Sequence, residues 1–254
     1  MARNRGKNKK QKKTQSDKSG VAKVDKTPVI HQNSKLQVPL NIFNRELTPR
    51  QKEFVELALD NKVKMLVVSG PAGTSKTFLS VYASLLLMNK QRVSDLVYVR
   101  SVVESSDVKL GFLPGEKNDK MSPYRQPLVD KLDEFLSSGD VKKLNDEERI
   151  EAHPVGYLRG LNWNAMAIIG DEMQNCTRKE LITLMTRVGE FSKLFLLGDP
   201  SQADINRSGF KDVYNLFNDE ESRENGIYTF EFTEEDIVRS KLVRFITKKV
   251  KKLS

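Results

Sequence analysis

The chain has 254 residues, 38% apolar and 30% charged, with a net charge of +9 and an isoelectric point near 9.4, a length that suits one globular core of ordinary size. It has no apolar run of about 18 residues that would cross a membrane, and its opening residues, MARNRGKNKKQKK, lack the apolar stretch of a secretion signal. Cys176 is the only cysteine and His31 and His153 are the only histidines, which excludes an internal disulfide, argues against a zinc cluster and makes a reducing cytoplasm the expected setting.

Residues 1–38 hold 11 Lys or Arg against Asp17 and Asp25, so the whole excess of positive charge lies in this leader and the remainder is electrically neutral. Rich in Lys, Gln, Asn and Ser and poor in apolar side chains, the leader is expected to be a disordered basic tail. It would act either as a salt-sensitive contact to nucleic acid phosphates or as a solubilising arm. Residues 39–254 form the expected domain.

Within that domain, short apolar runs alternate with segments of helical period, the pattern of an α/β fold with a mainly parallel sheet sandwiched by helices. A helix is predicted over Thr48–Leu59, with Thr48 as N-cap and Pro49 at the first helical position. A strand over 64–70 then runs into the stretch SGPAGTSKTF (69–78) and a helix over Lys76–Lys90. Strand, small-residue turn and helix together are the setting of a phosphate-binding loop. In such a loop backbone N–H groups of Gly70, Pro71, Ala72, Gly73, Thr74, Ser75, Lys76, Thr77 and Phe78, proline excepted, surround the phosphates. Lys76 neutralises the β and γ oxygens, and the Thr77 hydroxyl can ligate Mg²⁺. Ser75 stands where the pattern has its second glycine; its Cβ is costly if the loop needs a positive φ there and cheap if the residue is already helical.

Farther along, a strand is predicted over 96–102, a loop over 109–127 and a helix over Pro123–Ser137. The loop carries Phe112, Tyr124 and several cations, suited either to stacking on a single strand or to packing. A strand over 165–172 ends in Asp171 and Glu172. At the carboxyl end of a parallel strand this pair would meet the phosphate loop, Asp171 serving Mg²⁺ and Glu172 polarising the attacking water. Alone, the same two acids read equally as a solvated turn. Helix Arg178–Val188 follows, then a strand over 192–199 ending in Gly198 and Asp199, with Gln202 just beyond, polar groups able to sense a γ-phosphate. Helix Gly209–Phe217, strand 227–233 and helix Glu234–Leu253 complete the expected order. Trp163 and the C-terminal phenylalanines are expected in the core.

These motifs together resemble the PhoH family of P-loop ATPases, related to the ATPase core of superfamily 1 helicases. The likeness rests on LTPRQ (47–51), GPAGTSKT (70–77), KLGFLPGE (109–116), SPYRQPLVD (122–130), EAHPVGYLRG (151–160), AIIGDEMQN (167–175), LMTRVG (184–189), LLGDPSQAD (196–204) and EEDIVRSKLV (234–243). Ser75, Ser101 with Val102, and Gly170 depart from the family's usual residues. The resemblance implies a RecA/helicase-like P-loop NTPase fold, with ATP and Mg²⁺ as ligands. It also implies a homo-oligomer, a hexameric ring, acting on single-stranded RNA or DNA, without membrane attachment. The setting would be cytoplasmic, the host cytoplasm if the chain comes from a bacteriophage, where small basic-tailed members are frequent. Gln51 would read adenine through its amide, and Arg187 and Arg239 are the candidate arginine fingers. From the residues alone Gln51 could be an ordinary helix glutamine. Arg187 could sit at a helix C-terminus, and Arg239 could pair with Glu235. Arg159, near Tyr157, suits phosphates or a neighbouring subunit.

Overall fold

The computed structural model describes Met1, Leu36 and residues 38–101, 117–238 and 241–250. Arg239, Phe112 and nearly all of residues 1–38 lie outside the described residues.

Six strands, β1 (Met65–Ser69), β2 (Asp95–Arg100), β3 (Ile150–Pro154), β4 (Met166–Asp171), β5 (Lys193–Gly198) and β6 (Ile227–Glu231), form one sheet in the order β3-β2-β4-β5-β1-β6. Every neighbouring pair is parallel. Apolar runs make these strands because the sheet is covered on both faces, so alternate residues enter two different cores. Leu66, Val68, Leu96, Tyr98, Ile169, Phe195 and Leu197 enter one, together with Leu36 and Leu40 from ahead of the first helix. Val67, Val97, Val99, Ile168, Leu194 and Leu196 enter the other, with Trp163.

Helices α1 (Pro49–Leu59), α2 (Lys76–Asn89), α3 (Lys117–Asp133) and α4 (Ser138–Asp146) supply side chains to the first core. Helices α5 (Arg178–Met185) and α6 (Phe210–Leu216) supply the second. This is the α/β P-loop NTPase arrangement that the motifs imply. α1 starts as its sequence predicts, with Thr48 and Gln51 in a reciprocal capping box and Pro49 in the first turn.

Five elements differ from expectation. The edge strand β3, the helix α4 and the short helix α7 (Glu220–Glu224) were not anticipated, and α3 begins six residues before Pro123, inside the stretch read as a loop. The C-terminal segment is not one helix from Glu234. Thr233 does cap a turn through Asp236, but that turn is a single 3₁₀ turn, Glu234–Asp236. The chain then extends at Ile237, and α8 occupies Lys241–Val250. The cause is a tether: the Val238 N–H donates to the Gly73 carbonyl at 2.9 Å, holding this segment against the loop after β1. Phe230 and Phe232 are in the core as expected, whereas Phe245 is 59% exposed.

Candidate nucleotide site

The loop between β1 and α2 is shaped by its own contacts. At Gly70 a Cβ would come within 2.7 Å of Phe232 Cβ, and Gly73 has φ +89°, so both need glycine. The Thr74 hydroxyl donates to the Pro71 carbonyl at 2.9 Å, and the Gly70 N–H donates to the Gly198 carbonyl at 3.2 Å. Ser75, the N-cap of α2, has φ 68° and ψ 23°. The serine therefore occupies a left-handed position that the glycine of the usual pattern would accept without strain.

A cavity of about 580 Å³ opens above this loop, at the carboxyl ends of the strands. Ala72, Gly73, Ser75, Lys76, Thr77 and Phe78 line it; Gly70, Pro71 and Thr74 form the loop behind. Asp171 and Glu172 enter from the end of β4, and Asp199 and Gln202 from the end of β5, which lies between β1 and β4. Residues from three strand ends thus converge as the spacing of the motifs requires. The first turn of α2 adds N–H groups and the positive end of a 14-residue helix. Lys76 Nζ donates to the carbonyls of Gly70 at 2.6 Å and Pro71 at 3.0 Å.

Two partners of these residues escaped the sequence reading. Tyr98, fully buried on β2, donates its hydroxyl to Asp171 Oδ2 at 2.6 Å, while Thr77 Oγ1 donates to Asp171 Oδ1 at 2.9 Å. Burial first, and the Asp171 carboxylate second, hold the Tyr98 hydroxyl far above its ordinary pKa, so it stays a donor. Gln174, also buried, donates from Nε2 to Glu172 Oε2 at 2.7 Å and accepts the Asp199 N–H at 3.1 Å. The Asp199 carboxylate in turn accepts the Ala72 N–H at 3.0 Å and the Gln202 amide at 2.7 Å. Alternation of buried residues could have put Tyr98 beside a core only; its contact with Asp171 depends on β2 and β4 being neighbours.

Thr77 Oγ1 beside a buried carboxylate is a pair of hard oxygen donors, and among the described residues no group of three His, Cys, Asp or Glu side chains could enclose a metal. Such a pair suits Mg²⁺, which takes one or two protein oxygens and completes its shell with phosphates and water. Gln51 lines the other end of the cavity with Arg45, Leu47 and Lys131. Its side-chain carbonyl accepts the Thr48 N–H at 3.0 Å, so the α1 cap orients the amide. Arg45 donates to the Glu134 carbonyl, and Lys131 of α3 pairs with Glu134, just past its end, at 2.5 Å.

Arg187 is not brought to this cavity. It lies just beyond α5 at the amino-end side of the sheet, donating to the carbonyls of Thr183 and Leu161 at 3.3 and 3.4 Å, the helix-terminus role. Arg159 and Tyr157 are exposed near the end of β3, and Tyr124 is half-buried on α3. Cys176 is buried, its thiol pushed up to about 12 by desolvation, and takes no part. No helix among the described residues is long and apolar enough to cross a membrane.

Comparison with known proteins agrees with this geometry. The family described as PhoH-like protein matches residues 45–251. A PhoH-like protein of Synechocystis sp. is 33% identical over 205 residues, covering 80% of this chain and 60% of its own. One from Bacillus subtilis is 33% identical over 199 residues, covering 78% and 61%. Protein PhoH2 of Bacillus subtilis is 37% identical over 162 residues, covering 61% of this chain and 36% of its own. The chain thus spans about three-fifths of the PhoH-like relatives' length and about a third of PhoH2.

Proposed function

The chain belongs to the PhoH-like family of P-loop ATPases, and from that premise we propose that it hydrolyses ATP at the cavity above β1, β4 and β5. The observation that carries this reading is convergence: Lys76, Thr77, Asp171, Glu172 and Asp199 line one cavity although the sequence spreads them over more than a hundred residues.

In this reading α2 and the loop N–H groups bind the β- and γ-phosphates, and Lys76 moves from the Gly70 and Pro71 carbonyls onto their oxygens. Thr77 and Asp171 would hold Mg²⁺, which, when bound, supplies positive charge to the β and γ oxygens. Glu172 accepts a proton from water as the water oxygen bonds to the γ-phosphorus and the bond to the β-bridging oxygen breaks, releasing ADP and phosphate. Gln202 and Asp199 would sense the γ-phosphate. The NH₂ of Gln51 donates to N7 of adenine, its carbonyl being already engaged by the α1 cap.

Assembly as a ring and action on single-stranded RNA belong to the same proposal. Their support is the motif resemblance and the basic residues 1–38, and Arg187 or Arg239 would then serve a neighbour's site. A second reading, a nucleotide-dependent binding module with slow turnover, draws on the left-handed Ser75. Phosphate release with and without single-stranded RNA separates the two. Glu172→Gln should abolish turnover and keep ATP binding, with RNA stimulating the wild type. ATP binding without measurable hydrolysis in the wild type would favour the binding module.

A further inference from the structure

Building on the hydrolytic reading, we propose that Gln174 is a positioning residue that fixes the Glu172 carboxylate and links it to the phosphate-facing end of β5. Glu172 follows β4 with φ 57° and ψ 36°, a left-handed backbone that a glutamate adopts only when its surroundings impose it. That conformation opens the 3₁₀ turn Met173–Asn175, which carries Gln174 back beneath the Glu172 side chain. The turn is anchored on both sides. Ser101 Oγ donates to the Asn175 carbonyl at 2.8 Å, and the Asp204 N–H donates to Asn175 Oδ1 at 2.8 Å.

Gln174 is 2% exposed, and both ends of its amide are used. Its carbonyl oxygen takes the Asp199 N–H and its NH₂ gives to Glu172 Oε2, so only one orientation of the amide satisfies both partners. A carboxylate held through one oxygen in this way keeps the other, Oε1, for the proton of water. Asp199 accepts the Ala72 N–H through its own carboxylate, so an unbroken hydrogen-bonded path runs from the phosphate loop through Asp199 and Gln174 to Glu172. Movement of the β5 end on phosphate contact is transmitted to the base by one side chain, without Gln174 touching substrate.

The test uses the full chain, steady-state phosphate release from Mg·ATP and thermal unfolding. Gln174→Met keeps the volume and removes both hydrogen bonds; kcat should fall about tenfold with KM for ATP within about twofold of wild type. Gln174→Glu retains an acceptor for the Asp199 N–H but offers no N–H to Glu172, so its kcat should fall at least as far as that of Gln174→Met, again with KM little changed. A side chain that only packs would lower thermal stability in both variants and leave kcat near wild type at temperatures well below unfolding. Variants with wild-type kcat, or with kcat preserved by Gln174→Glu, overturn the assignment while hydrolysis itself stands. A wild type that binds ATP without hydrolysing it removes the parent reading and this one together.

Discussion

The two ends of the sheet are built from similar parts and do different things. At the carboxyl end a cavity of about 580 Å³ contains Lys76, bonded to two backbone carbonyls, and two left-handed residues, Ser75 and Glu172. At the amino end a cavity of about 670 Å³ contains Lys193, also bonded to two carbonyls, with Gln91 and Phe191 left-handed. Size, a lysine bonded to backbone carbonyls and unusual backbone therefore do not mark the site. In an all-parallel sheet the helices begin at the carboxyl end and finish at the amino end, so one end offers N–H groups and the other carbonyls. Lys193 donates to the carbonyls of Ala58 and Asp60 and Arg92 to that of Leu59, together closing the C-terminus of α1. Around Lys76 the neighbours are instead the N-terminus of α2 and carboxylates from β4 and β5.

The sharpest way to break this comparison is to remove each lysine in turn. Lys76→Ala should lower kcat/KM for ATP by about a hundredfold or more without a matching loss of stability, and Lys193→Met should leave turnover close to wild type. Lys193 has its own signature. Burial lowers its pKa from 10.5 to about 8, with Arg92 adding to the effect. Below pH 8 both folded and unfolded chains bind this proton. Between about 8 and 10.5 only the unfolded chain does, so folding stability rises with pH across that window, by on the order of 2–3 kcal/mol. Urea unfolding at pH 7.5 and pH 10, taken as wild type minus Lys193→Met, should show the rise. A flat difference would mean that Lys193 is not desolvated as its position implies, and a large loss of turnover in Lys193→Met would erase the distinction between the two ends.

A smaller effect is expected at Tyr98. Tyr98→Phe keeps the ring in its core and removes the 2.6 Å bond to Asp171, leaving that buried carboxylate held by Thr77. A hydrogen bond to a charged group is worth about 1.5 kcal/mol or more, so the Mg²⁺ concentration for half-maximal turnover should rise about tenfold. An unchanged Mg²⁺ dependence would reduce Tyr98 to packing.

Why Tyr98 and Gln174 were invisible while Lys76, Asp171 and Asp199 were legible has a physical reason. Phosphate chemistry imposes spacing along the chain: a lysine at the start of a helix, acids at or just past the end of an apolar strand. Tyr98 and Gln174 act across the sheet, and their roles follow from strand order, which no local pattern encodes. The fold shows the same division. β1, β2, β4 and β5 stand out because both faces are buried, whereas edge strand β3, reading Ile-Glu-Ala-His-Pro, has only Ile150 and Pro154 buried. The break before α8 was hidden for the same reason: Thr233 and Asp236 carry a sound helix-start signal, and what stops the helix is a hydrogen bond to Gly73, distant in sequence.

Ser75 gives the smallest predicted effect and the one that most refines the contrast. From the pattern alone the cost of its Cβ depended on whether the loop needs a positive φ there. With φ at 68°, the residue does lie in the region where an L side chain is strained, by about 1 kcal/mol relative to glycine. Yet the conformation is imposed by contacts within the protein. Val238 N–H holds the Gly73 carbonyl at 2.9 Å, Ala72 N–H meets Asp199 at 3.0 Å, and Thr74 bonds back to Pro71 at 2.9 Å. Strain fixed by the fold is present with and without nucleotide, and so it cancels from the binding equilibrium and remains in the folding one. Ser75→Gly should therefore raise unfolding stability by about 1 kcal/mol, about 2–4 °C in Tm for a domain of this size, and leave the ATP dissociation constant within about twofold. Tighter ATP binding with no gain in stability would show the reverse, that the loop adopts this backbone only around phosphate. The carboxyl end of the sheet would then be shaped by its ligand, and only the amino end by the fold itself.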